Sequence, residues 1–217
     1  MRKYLLVNEG VYHIFTKSIA GFEVFRKRTD YERMMGLLKY YQVENPSLKF
    51  SLFMGLKDKQ DYYRKHFGGK DKLVAIMTYC LMPTHLHLVL NQLKKNGIST
   101  FMGNVLNSYT RYFNIKSKRK GPLWESRFKN VIVSTDEQLL HLTRYIHLNP
   151  ATAGLVERPE DWEFSSYREY IGEVTKGQRL CNYSGHLEIS SSIYKEFVSS
   201  RRDYQRELAR IKELCIE

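Results

Sequence analysis

The sequence predicts an α+β domain: a mostly antiparallel central sheet with helices packed on it, followed by a C-terminal helical extension. Three observations carry this prediction. Strand-like and helix-like segments are mixed in an order that does not repeat a strict βαβ unit. Leu73 to Leu81 is almost continuously apolar, as expected of a strand covered on both faces. The turn Met82-Pro83-Thr84 then leads into a second apolar run, which predicts an antiparallel hairpin at the sheet centre. A chain of 217 residues with 42% hydrophobic content can bury a real core. Its length suits one domain, residues 1–172, with an extension over 173–217.

Taken in order, Val11-Tyr12-His13-Ile14-Phe15-Thr16 is β-branched and aromatic enough for a first strand. Thr29-Asp30 can cap a helix running to about Val43, with Tyr31, Met34, Met35, Leu38 and Tyr41 as its core-facing stripe. Asn45-Pro46 stops that helix; Leu48 to Leu56 reads as extended, and Asp58 to Phe67 as a short charged helical insert ending at Gly68-Gly69. After the hairpin, Ile98 to Phe113 reads as a helix, Asn130 to Ser134 as a strand, and Asp136 to Leu148 as a helix stopped by Asn149-Pro150. Trp162 to Tyr167 should pack back on the domain, with a loop over Val174 to Gly177. A last amphipathic helix from about Ser192 carries Ile193, Phe197, Tyr204, Leu208 and Ile211, and would dock on its own domain or on a second subunit, which leaves a homodimer open.

The formal charge of +12, from 35 Lys and Arg against 23 Asp and Glu, points to a polyanionic partner, nucleic acid before an anionic membrane. No apolar run is long enough to span a bilayer. The opening Met1 to Val7 briefly imitates a signal peptide, but Asn8, Glu9 and Gly10 cut it short, so a cytoplasmic, nucleoid-associated protein is expected. Cys80, Cys181 and Cys215 are odd in number and far apart, which predicts reduced structural thiols rather than a disulfide framework or zinc ribbon.

Chemistry concentrates at His85-Leu86-His87. Side chains alternate along a strand, so both imidazoles share one face while Leu86, Leu88 and Leu90 fill the other. Imidazole is a common ligand for divalent metals, but two leave a site incomplete. Seven histidines in 217 residues yield about 0.2 such pairs by chance, so the pair alone does not separate a metal site from two half-buried strand histidines. On the helix from Asp136, Tyr145 and Asn149 lie one turn apart on the same side, with His141 one turn earlier. Leu139, Leu142 and Ile146 form the stripe that would lay this helix on the sheet. Residues 116–129 hold six basic side chains against one Glu, with Trp124 and Phe128 interleaved. Cations for phosphates and aromatic faces for unpaired bases suit single-stranded nucleic acid, and the candidate contacts are Lys116, Lys118, Arg119, Lys120, Trp124, Arg127 and Lys129.

Four blocks in one order, Tyr79 to Leu88, Asn107 to Asn114, Gly121 to Lys129 and Arg144 to Pro150, give the chain its resemblance to the HUH single-tyrosine transposases, in the branch of REP-associated tyrosine transposases. The resemblance covers roughly residues 10 to 170 and implies a ferredoxin-like or RRM-like sheet. It implies Tyr145 as the nucleophile that attacks a phosphodiester in single-stranded DNA, leaving a 5′-phosphotyrosine and a free 3′-OH. It implies His85, His87 and Asn149 as ligands of a divalent cation, Mg or Mn, and hairpin-forming or inverted repeats as the DNA. Family members often carry Asn where this chain has Thr84 before the first histidine. Tyrosine ordinarily ionises near pH ~10, so attack needs proton removal or cationic assistance. His141 and His147 are candidates for supporting the ligands or handling that proton, and Tyr109 and Tyr112 are rival nucleophiles near basic residues. Two other readings stand beside the transposase: an inactive or domesticated nucleic-acid-binding protein of the same fold, and a metal-dependent phosphoesterase with no covalent step.

Overall fold

The structure is a computed structural model and describes residues 5–67, 69–183 and 185–201. Four strands form one sheet: β1 (Val11–Lys17), β2 (Val74–Met82), β3 (His85–Gln92) and β4 (Lys129–Val133), in the spatial order β2-β3-β1-β4 with antiparallel neighbours. With α1 (Arg28–Tyr40) between β1 and β2, and α4 (Gly97–Lys116) between β3 and β4, this is the split βαβ arrangement of ferredoxin-like and RRM-like sheets. The predicted α+β class is the observed one.

Alternation sorts the strands into two faces. Tyr12, Ile14, Leu86, Leu88 and Leu90 join Met34, Leu37, Leu38, Phe101, Val105 and Tyr109 in the main core beneath α1 and α4. The opposite face carries Met77, Cys80, Met82 and Val89, covered by Leu139 and Ile146 of α5 (Asp136–Thr152), with Leu142 partly buried beside them. β2 is buried along its whole length, as its continuous apolar sequence predicts. It is an edge strand, however, and the hairpin does not sit at the sheet centre. Its outer edge is capped by chain: Leu81 N donates to Phe164 O at 2.9 Å, Ser166 N to Tyr79 O at 2.9 Å and Asn182 N to Ile76 O at 2.8 Å. The segment from Trp162 thus packs back as expected and removes an exposed pairing edge.

Three elements differ from expectation. The run after Pro46 is not extended: α2 (Phe50–Met54) is a short helix that sets Phe50 and Phe53 against Tyr40, and a five-residue apolar run carries too little periodicity to decide between the two forms. α1 begins at Arg28, so Asp30 caps from inside the first turn, its carboxylate accepting from the backbone of Arg26 and Lys27 at 3.2 and 3.1 Å. α5 does not stop at Asn149 but runs through Pro150 to Thr152, because Pro150 and Ala151 are buried on its docked side. The charged insert is helical as predicted, forming α3 (Lys59–Phe67). A short helix, α6 (Tyr167–Tyr170), follows the edge-capping segment.

The last helix, α7 (Ser191–Ser199), docks on its own domain through Tyr194 and Val198, which bury against Leu148, Tyr167 and Tyr170. Ile193, expected on the apolar stripe, is exposed, since the buried face is turned by one residue. Tyr204, Leu208, Ile211 and Cys215 lie outside the described residues; Cys80 and Cys181 are free thiols. No helix among the described residues is long and apolar enough to cross a membrane. Gly97 is required where α4 starts, because a Cβ there would stand 2.2 Å from Leu73 O.

Candidate active site on the open half of the sheet

β3 presents His85 and His87 on the face that α5 covers, and the register places Lys17 opposite His85 and Phe15 opposite His87 on the neighbouring β1. α5 lies over the β2 and β3 side of this face. Val131 stays exposed towards the β4 side, and His13 and Phe15 stay partly open. The site is therefore a half-covered sheet with one helix at its border.

That helix is fixed by local chemistry. Thr135 Oγ1 accepts from Gln138 N at 3.1 Å, Gln138 Oε1 accepts from Ser134 N at 2.9 Å, and Asp136 and Glu137 occupy the electropositive first turn. Such a cap is worth about 1 kcal/mol. Leu139 and Ile146 point into the sheet, which leaves Tyr145 at the border, 45% exposed, its ring edge-on to His87 with centroids 6.1 Å apart. Asn149 follows one turn later, and its Nδ2 is buried without a hydrogen-bond partner.

The imidazoles are held from behind. His87 Nδ1 is 2.9 Å from Nε2 of His13, and His85 Nδ1 is 3.0 Å from Thr84 Oγ1. In the tautomer where each Nδ1 donates, both Nε2 lone pairs are left free. Thr84 thus gives His85 the polar neighbour its turn needs. Burial lowers His13 and His85 to about 4. Burial, then the neighbouring His13, His85 and Lys17, lowers His87 to about 3. All three are neutral at pH 7 and present nitrogen lone pairs rather than charge.

Among the described residues, no group of three or more His, Cys, Asp and Glu side chains is arranged to hold a metal ion. A divalent ion at the histidine pair would need a ligand of another type. Asn149 fits that need: its side chain has a buried polar atom with nothing to bond, and a half-turn of the amide exchanges nitrogen for oxygen.

The remaining sequence candidates separate. His147 is fully buried, with Nδ1 2.6 Å from Tyr194 O–H and Nε2 2.7 Å from Ser166 Oγ, so both nitrogens are engaged away from Tyr145. His141 meets Arg144 at 2.8 Å and the ring of Phe197. Tyr109 is buried in the opposite core, donating to Val24 O at 2.5 Å, and burial pushes its phenol far up. Tyr112 donates to Asp30 at 2.9 Å on that same side. Neither rival tyrosine reaches the histidines.

The basic segment also divides. Trp124 is 8% exposed and packs near Tyr109, and Phe128 is buried too, so neither offers an open ring face in this conformation. Lys116 is bound to the buried carboxylate of Asp30, and Arg119 is held by Asn114 and Pro122 O at 2.9 Å each. Lys118, Lys120, Arg127 and Lys129 are solvent-facing, and Lys129 pairs with Phe15 at the rim of the open sheet. Sequence reasoning missed His13 and Lys17. Their signal was the alternation of β1, which sets His13, Phe15 and Lys17 on one face, but only the register shows which face.

Known proteins resemble this chain in parts of its sequence and in its fold. The family described as "Transposase IS200 like" matches residues 56–149. A putative REP-associated tyrosine transposase of Haemophilus influenzae is 30% identical over 103 residues, 42% of this chain and 58% of that protein. A REP-associated tyrosine transposase of Escherichia coli is 21% identical over 119 residues, 54% of this chain and 67% of that protein. The chain thus spans about three-fifths to two-thirds of these relatives' lengths. The fold is similar to that of a REP-associated tyrosine transposase solved bound to a REP hairpin, with a TM-score of 0.51, 14% identity, and 88% of this chain and 96% of that one covered.

Proposed function

We propose that this chain, which matches the IS200-like transposase family over residues 56–149, cleaves and rejoins single-stranded DNA at hairpin-forming repeats. The observation that carries this reading is the meeting of Tyr145 with the histidine pair. A half-exposed phenol stands edge-on to His87 at the border of an open sheet face, one helical turn from Asn149, whose buried amide nitrogen has no hydrogen-bond partner.

In the proposed reaction the Tyr145 oxygen attacks the scissile phosphorus and displaces the 3′ oxygen. One P–O bond forms and one breaks, the phenol gives up its proton, and the leaving oxygen takes one up. The 5′-phosphotyrosine keeps a phosphodiester, so a 3′-OH from another end can reverse the step and join. His85, His87 and Asn149 would hold a divalent ion, Mg or Mn. When bound, such an ion polarises the phosphate and offsets developing charge. In the tautomer where both Nδ1 atoms donate, His13 and Thr84 would accept those protons and leave the two Nε2 lone pairs for the ion. Lys17, Lys129 and Arg127 would neutralise phosphates of a strand lying across the open half of the sheet, beside Phe15.

The test is a denaturing gel of the protein incubated with end-labelled single strands carrying the inverted repeats that flank its own gene, with Mn or Mg. A label that migrates with wild-type protein and is lost in Tyr145→Phe supports the reading. Salt-sensitive binding with no adduct would point to a non-catalytic nucleic-acid-binding protein, and cleavage with turnover but no adduct to a phosphoesterase.

A further inference from the structure

On the far side of the sheet from Tyr145, α1, α2 and α4 enclose a cleft of about 470 Å³ that the proposed chemistry does not use. Arg33, Lys49, Arg111 and Lys116 line it, with Phe50 and Tyr112, and no Asp or Glu does. Lys116 is already bound to Asp30, which also accepts from Tyr112. Burial alone would raise Asp30, but its hydrogen bonds from Lys116, Tyr112 and the backbone hold it below the usual carboxylate range. The Asp30 charge is thus consumed by its own partners.

Arg33 is in the opposite position. Its guanidinium sits over the rings of Phe50 and Tyr112, 4.5 and 5.2 Å from their centroids, and its Nε is buried with no hydrogen-bond partner. No carboxylate is within ion-pair distance of it among the described residues. A half-buried cation without a counterion is costly unless something supplies the charge. The aromatic faces hold the planar fork in place and leave its edge to an external acceptor. Lys49 and Arg111 stand exposed at the same cleft with no acidic partner among the described residues. Gly36 makes the cradle possible, since a Cβ there would lie 2.7 Å from the Phe50 ring.

We propose that this cleft is a phosphate-binding site, built on Arg33 with Lys49 and Arg111, that grips the DNA backbone outside the cleaved strand, in the duplex arm of a hairpin. The assignment to DNA rests on the proposed function; the need for an oxyanion rests on Arg33 alone. A guanidinium fork matches two phosphate oxygens, whereas the lysine acts as a point charge.

The experiment uses the full chain, a fluorescein-labelled DNA hairpin with a single-stranded tail, and the tail alone, followed by anisotropy over a salt series. The double variant Arg33→Gln/Arg111→Gln should lose about tenfold in hairpin affinity, with the slope of log K against log salt reduced by about 2. Tail binding should change far less. Arg111 is exposed, so Arg111→Gln alone keeps the test valid if the double variant folds poorly; it should reduce the slope by about 1. Arg158→Gln/Arg168→Gln removes the same charge from acid-paired surface sites and should leave the hairpin preference intact. Separately, inorganic phosphate should raise the Tm of the wild type over chloride at equal ionic strength, and not that of the double variant. Unchanged hairpin affinity and slope in the variants overturn the proposal. If wild-type protein binds neither DNA, the nucleic-acid reading fails, and the response of Tm to phosphate then upholds or overturns the cleft as an oxyanion site.

Discussion

His13 Nε2 lies 2.9 Å from His87 Nδ1, joining two adjacent strands by a contact between residues 74 positions apart. It turns Nδ1 of His87 towards His13, and in the tautomer where that Nδ1 donates, the lone pair is on Nε2. Partners of this kind typically contribute 10- to 100-fold to metal affinity. His13→Ala should therefore weaken Mn binding by about tenfold or more, read by electron paramagnetic resonance or calorimetry without any DNA present. His13→Gln, which keeps an acceptor, should recover part of it. Equal affinity in wild type and His13→Ala would remove His13 from the site.

The same burial sets a pH dependence. His13 and His85 are lowered to about 4 and His87 and His147 to about 3. The ordinary value is about 6.5. Because the folded values are depressed, the unfolded chain takes up protons first as pH falls, so the stability these groups confer is whole above about 6.5 and is lost progressively towards pH 4. A histidine that titrates one pH unit lower in the folded chain than in the unfolded one accounts for about 1.4 kcal/mol of this. Calorimetry should show a Tm that is flat from pH 8 to 7 and falls steeply between 6.5 and 4. A Tm unchanged down to pH 4 would contradict the buried neutral histidines.

His147 ties the last helix to the helix of the nucleophile. It meets Tyr194 and Ser166, and Tyr194 donates in turn to Thr143 of α5 at 2.9 Å. His147→Ala leaves those buried hydroxyls short of a partner and opens a cavity, so it should cost about 3 kcal/mol in urea denaturation. A loss under 1 kcal/mol would show that the network is dispensable.

Gly97→Ala tests the packing that seats α4 on the start of β2. The added methyl meets Leu73 O at 2.2 Å, and backbone cannot yield as a side-chain tip can. Destabilisation of about 2 kcal/mol or more is expected, opposite in sign to the gain that Ala usually gives in a helix. A stability equal to wild type would mean that α4 can shift freely.

What the sequence disclosed depended on how local the information was. The His85-Leu86-His87 alternation, the Tyr145 to Asn149 turn and the apolar β2 are each written within a few residues, and each took its expected local form. His13 and Lys17 join the site only through the β1 and β3 register, which no local pattern fixes. Trp124 was ambiguous because an aromatic residue in a basic run serves a core or a base equally well; Tyr109, fifteen positions earlier, decides for the core. The helix continued past Asn149-Pro150 because burial of Pro150 outweighed the propensity of proline to end it. Arg33 meets Phe50 only through tertiary structure, because the helical form of α2 brings that ring to its guanidinium.

In the proposed reaction Tyr145 is the residue that becomes joined to DNA. Mass spectrometry of nuclease- and protease-digested protein, after incubation with the flanking repeat strands and Mn, tests this most directly. The expected result is a peptide containing Tyr145 that carries a nucleotide through its 5′ phosphate, absent from His87→Ala protein. An adduct mapped to Tyr109, Tyr112 or any other residue would contradict it.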